Sequence, residues 1–166
     1  ISQFSAVVKL AIYTGCRKSE LLNARWQDVD LTKGTLRLHD SKTGARNVLL
    51  NEGAVEALRS IVVRKGQQYV ISSRKLDAPA GGVQKWWQRV RTEAGLKKVR
   101  IHDLRHTFAS MAAGSNQSLL QIGALLGHKS SQTTMRYAHH YEGALRVSTD
   151  AVSKRIRASI DTSDTD

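Results

Sequence analysis

Phe4, Val7, Val8, Ala11 and Ile12 recur three and four residues apart, so the segment from Ile1 to Tyr13 reads as an amphipathic helix. Gly15 is its natural stop. A second helix is expected over Ser19 to Ala24, with Arg17 at its amino end, where backbone N–H groups and the helix dipole favour an anion. The period then changes. Thr35 to His39 and Arg46 to Leu50 alternate apolar and polar positions like the arms of a hairpin, with Lys42, Thr43 and Gly44 in the turn. Asn51 reads as the N-cap of a helix running to about Lys65, and Tyr69 to Ser72 as a short third strand. Helices are predicted over Gly82 to Ala94, closed by Gly95, and over His102 to Ala113, ended by Gly114. Ser118 caps Leu119 to Leu126, which Gly127 ends; Ser131 to His140 and Glu142 to about Ile160 complete the set. The fold class is therefore α+β, mainly α-helical with a small antiparallel β-sheet. Residues 1–160 form one domain, and the acidic tail from Asp161 to Asp166 is expected to be disordered.

A length of 166 residues, 40% hydrophobic and 24% charged, suits one globular domain rather than a disordered chain. Charge changes the picture more. The excess of 26 Lys+Arg over 14 Asp+Glu leaves +12, which calls for a polyanionic partner, nucleic acid ahead of an acidic membrane surface. Cys16 is the single cysteine, so no internal disulfide can form, and the chain suits a reducing, cytoplasmic compartment. Arg17 and Lys18 could activate its thiol, but a small residue packed at a turn is the simpler reading. No apolar run reaches the length of a membrane span, and no signal peptide opens the chain. Its start inside a helix, without methionine, reads as an excised domain.

His102, Arg105 and His106 stand three and four positions apart and share one helix face, which a buried apolar face would not choose. A solvated polar stripe is one reading of that face. Zinc is another, since two histidines at this spacing can ligate one ion; yet Asp-Leu-Arg intervenes, with no metalloprotease glutamate and no cysteine cluster. His128 follows a helix-ending glycine, where a lone histidine usually caps, and a turn lysine such as Lys42 is usually just solvated. His39, His139 and His140 read as surface or packing residues, and at least one of Trp86 and Trp87 as core. Tyr13 and Tyr69 fall in segments that favour burial, whereas periodicity leaves Tyr137 and Tyr141 both open. Taken together, Arg17, Lys42, His102, Arg105 and His128 upstream of a tyrosine are what a metal-free site would need to attack a phosphodiester.

This spaced set resembles the tyrosine recombinases of the phage-integrase type. The matching residues are Gly15-Cys-Arg17-Lys-Ser-Glu20, Lys42-Thr-Gly44, His102-Asp-Leu-Arg-His-Thr-Phe108, Leu126-Gly-His128 and Met135-Arg-Tyr-Ala-His139, over residues 1–145. The resemblance implies the recombinase catalytic-domain fold, with an amino-terminal DNA-gripping domain absent from this chain. It makes Tyr137 the nucleophile, Arg17 and Arg105 the phosphate grips, His128 a further donor, His102 the acceptor of the tyrosine proton and Lys42 the acid for the departing oxygen. Glu20 and His106 become supports for Arg17 and the active-site helix. No cofactor and no metal are implied. The partner is double-stranded DNA at specific recombination sites, with assembly as a tetramer and a carboxyl-terminal helix that packs on its own domain or on a neighbour. A type IB topoisomerase, a telomere resolvase and a non-catalytic DNA-binding module are the alternatives.

Overall fold

The computed structural model describes residues 3–39, 44–115, 117–128 and 130–161, without the side chains of residues 131, 139–146 and 157–161. The helices are α1 Gln3–Thr14, α2 Lys18–Asn23, α3 Glu52–Arg59, α4 Val83–Glu93, α5 Asp103–Gly114, α6 Leu119–Leu126, α7 Ser131–Thr134 and α8 Glu142–Asp161. Two 3-10 segments, Trp26–Asp28 and Met135–Tyr141, and three strands, β1 Val29–Asp30, β2 Thr35–Leu38 and β3 Arg46–Leu49, complete them. The tail from Thr162 onward lies outside the described residues.

The strands form one antiparallel sheet in the order β1-β2-β3. Leu36 faces Val48 and Leu38 faces Arg46 across the ladder. Because strand side chains alternate, Leu36, Leu38, Val48 and Arg46 share the inner face. An arginine on that face needs partners, and they turn out to belong to the site. The expected third strand at Tyr69 to Ser72 is absent: only single bridges, Arg25 with Tyr69 and Ser72 with Pro79, hold the segment. Those bridges give it extended shape without a ladder.

α1 packs against both α3 and α5, burying Ala6, Val7, Leu10 and Ala11 in the larger core. α3 starts where Asn51 accepts the N–H of Ala54 at 3.0 Å, but it stops at Arg59, short of Lys65. Ile61 then turns into the core while Val62 and Val63 are left exposed, so the apolar run that suggested more helix serves a turn instead. Trp87 is buried and donates to the Val99 carbonyl, while Trp86 packs against Phe4 at the core's edge. α6 carries a reciprocal cap between Ser118 and Gln121. Its Ile122 and Leu126 join Ala109, Ala113 and Tyr137 in a second, smaller core.

Gly15 joins the two cores. Its φ of +64 ends α1, and a Cβ there would lie 2.6 Å from Phe108 and 2.8 Å from Leu126. Only glycine lets the chain turn so close to α5 and α6, and the next residues are Cys16 and Arg17. Among the described residues, no helix is long and apolar enough to cross a membrane.

Candidate active site

Arg105 lies at the centre, one turn into α5 and only 4% exposed. Its Nη1 donates to the Gly15 carbonyl at 2.6 Å, and its Nη2 to the Leu126 carbonyl at 2.7 Å. Each acceptor stands two residues before another candidate, Arg17 and His128 respectively. The guanidinium thus pins both loops, and the two carbonyls compensate its burial. Burial first, and the neighbouring Arg17 charge second, pull its pKa down to about 10. Each Nη keeps a second N–H beyond these two bonds, so an anion grip is compatible with the clamp.

Arg17 caps α2 from its extended position and bonds Glu20 Oε1 at 2.8 Å. Glu20 Oε2 accepts the Arg17 backbone N–H at 2.8 Å and Arg46 Nη2 at 3.1 Å. Glu20 is buried; that alone would raise its pKa, but the Arg17 N–H and the Arg46 and Arg17 guanidiniums outweigh it and hold the carboxyl below its ordinary value. One carboxylate therefore serves several guanidiniums, and the site keeps an excess of positive charge. Sequence reasoning missed Arg46. The signal was available: it shares strand parity with Val48 and Leu50, an odd place for a charge.

His128 follows Gly127, whose φ of +65 ends α6. Its Nδ1 lies 2.8 Å from the buried Thr134 hydroxyl. Burial, then Arg105, Arg17, Arg136 and Arg46, push its pKa down to about 4. The same charges that would attract a phosphate make a second cation unwelcome while none is bound.

Tyr137 is on the 3-10 segment rather than a continuous α-helix, and its ring is 5% exposed within the smaller core. Its hydroxyl lies 2.7 Å from His106 Nδ1. The family resemblance implies His102 as the acceptor of that proton and His106 as a support; in the structure it is His106 that lies against the phenol. His102 caps α5, is exposed, and sits edge-on to His106 with ring centroids 5.1 Å apart. Burial raises the Tyr137 pKa, while Arg136 and Arg105 pull the other way. Burial lowers the pKa of His106, with Arg136 next, and that of His102, with His106 next.

Lys42 lies outside the described residues, as does the side chain of Tyr141. Cys16 is 2% exposed and burial raises its thiol pKa, which fits packing rather than reactivity. His39 is held by Asp28 at 2.7 Å.

The chain is similar to known proteins in sequence and in fold. The profile of the phage integrase family matches residues 3–143. A probable integrase/recombinase of Methanocaldococcus jannaschii is 31% identical over 154 residues, covering 83% of this chain and 46% of that protein. The integrase of Salmonella phage P22 is 28% identical over 148 residues, 81% of this chain and 38% of that one. The chain thus spans less than half the length of these two relatives. Among solved structures, the XerA recombinase superposes with a TM-score of 0.68 at 29% identity, over 90% of this chain and 56% of that one. The catalytic domain of bacteriophage HP1 integrase gives 0.66 at 21% identity, over 87% and 79%, a likeness of fold.

Proposed function

Since the chain belongs to the phage integrase family of tyrosine recombinases, we propose that residues 1–160 are the catalytic domain of a site-specific DNA recombinase acting on a prophage or similar mobile element. The observation that carries this reading is the Tyr137–His106 hydrogen bond, set beside the guanidinium that pins the Arg17 and His128 loops.

Tyr137 Oη attacks the scissile phosphorus; the new P–Oη bond replaces the P–O5′ bond, leaving a 3′-phosphotyrosyl link and a free 5′-hydroxyl. A phenol whose pKa burial has raised does not ionise unaided at neutral pH. His106, held neutral by its own lowered pKa, takes the proton at Nδ1 when its ring carries hydrogen on Nε2. Arg17 and Arg105 stabilise the charge that builds on the nonbridging oxygens, and His128 donates beside them. Lys42 returns a proton to the departing oxygen. The ester conserves the bond energy, so a second strand's 5′-hydroxyl reverses the step. With guanidiniums supplying the positive charge, the reading calls for no metal.

Double-stranded DNA is the partner, and a tetramer is the assembly. Val152 and Ile156, one turn apart on α8, are 56% and 55% exposed, an apolar stripe that suits docking against a neighbouring copy. The experiment is incubation with a library of nicked duplexes of randomised sequence, with and without chelator. The reading expects a denaturant-resistant protein–DNA adduct in both; binding without any adduct would overturn it.

A further inference from the structure

Arg46 is the one inward-facing charge of the small sheet among the described strand residues, and its side chain is only 13% exposed. One guanidinium reaches three elements. Nη2 bonds Glu20 Oε2 on α2 at 3.1 Å and lies 3.8 Å from Cys16 Sγ. Nη1 donates to the Leu125 carbonyl in the last turn of α6 at 3.2 Å. Its stem crosses Gly127 so closely that a Cβ there would stand 2.6 Å from Cδ and Nε, and Nε itself is buried without a hydrogen-bond partner among the described residues. Leaving that N–H unpaired is unfavourable, which argues that the guanidinium is placed for its other contacts.

We propose that Arg46 is a positioning residue for strand cleavage: it fixes the Glu20 carboxylate that aims Arg17, locks the turn that aims His128, and ties both to β3. The proposal rests on the strand-transfer reading above. The carboxylate geometry explains the device. Arg17 takes Oε1 and Arg46 takes Oε2, so the carboxylate plane cannot rotate and each guanidinium is denied the bidentate embrace that would neutralise it. Arg17 keeps N–H groups for a phosphate because Arg46 occupies the other oxygen. Without Arg46, Glu20 would turn wholly onto Arg17, and the Gly127 turn would lose the side chain packed over it.

The test uses duplexes on which the wild-type chain forms its adduct, and measures the single-turnover cleavage rate at saturating DNA separately from affinity. Affinity is read in the Tyr137→Phe background, where no bond forms. Arg46→Met should slow cleavage by roughly 10²-fold, the effect of an ångström-scale misplacement. Affinity should change by less than about threefold, since the Arg46 guanidinium is turned to Glu20 and the Leu125 carbonyl rather than to a phosphate. Arg46→Lys, which keeps the charge on Glu20 but loses the fork, should recover part of the rate and carries the test should the methionine variant fail to fold. Combined with Glu20→Gln, Arg46→Met should add less than its full single-variant loss, because one of its two arms acts through Glu20. An unchanged rate, a loss of affinity equal to the loss of rate, or full multiplicativity with Glu20→Gln overturns the proposal. A wild-type chain that forms no adduct on any duplex overturns the strand-transfer reading, and this inference falls with it.

Discussion

The Tyr137 hydroxyl and His106 Nδ1 are 2.7 Å apart, joining the 3-10 segment to the second turn of α5. His102, one turn earlier, touches the His106 ring rather than the phenol. The two imidazoles therefore have separable parts. His106→Phe should slow adduct formation by roughly 10²-fold, the usual range for losing a general base, and His102→Phe by clearly less. Single-turnover cleavage at saturating DNA checks the order; a larger loss at His102 would return the base to that position.

His128 gives a pH dependence with a definite sign. Its ordinary pKa of 6.5 falls to about 4 in the folded chain, so between those values the unfolded state binds more protons. Stability must fall as pH drops through that window. His102 and His106, also lowered, add in the same direction, and the lowered pKa of Glu20 extends the loss at more acid pH. Urea midpoints at about pH 7 and about pH 4.5 should differ, the acid one lower. Equal midpoints, or a higher one in acid, would contradict the lowered imidazole pKa values.

Thr134 holds the other nitrogen relationship in the site, its hydroxyl 2.8 Å from His128 Nδ1 and itself 1% exposed. Thr134→Val keeps the shape and removes the partner. A loss of about 1–3 kcal/mol in chemical denaturation is expected, with Thr134→Ser closer to wild type. A neutral valine variant would show that the contact does not matter.

Gly15→Ala combines two penalties, a left-handed φ of +64 and a Cβ 2.6 Å from Phe108. Together they should lower stability by about 2–4 kcal/mol, read from urea unfolding. Because Gly15 also supplies the carbonyl that Arg105 grips, cleavage by the folded variant should fall as well.

What the sequence revealed followed local chemistry. Asn51, Ser118, Gly15 and Gly127 mark helix ends because caps and left-handed turns depend on the residue itself. The hairpin strands were legible from alternation. Two-residue β1 was too short to show a period, and Tyr69 to Ser72 had strand composition without a ladder to join. In the site, the helix face of His102, Arg105 and His106 was visible from spacing, but which imidazole meets the phenol depends on where a distant 3-10 segment lands. The grip of Arg105 on Gly15 and Leu126 uses main-chain carbonyls, which every residue carries, so no sequence pattern could announce it. Arg46 broke the inward parity of its strand, a local sign whose meaning needed Glu20 and Leu125 beside it.

The most direct measurement is the identity of the residue that becomes joined to DNA. Trypsin cuts after Arg136 and Arg146, so Tyr137 and Tyr141 fall in one peptide, and tandem mass spectrometry of the nuclease-trimmed adduct must place the nucleotide within it. The account predicts the 3′-phosphate on Tyr137, with the adduct lost in Tyr137→Phe and retained in Tyr141→Phe. A nucleotide on Tyr141, or an adduct that persists without the Tyr137 hydroxyl, would contradict it.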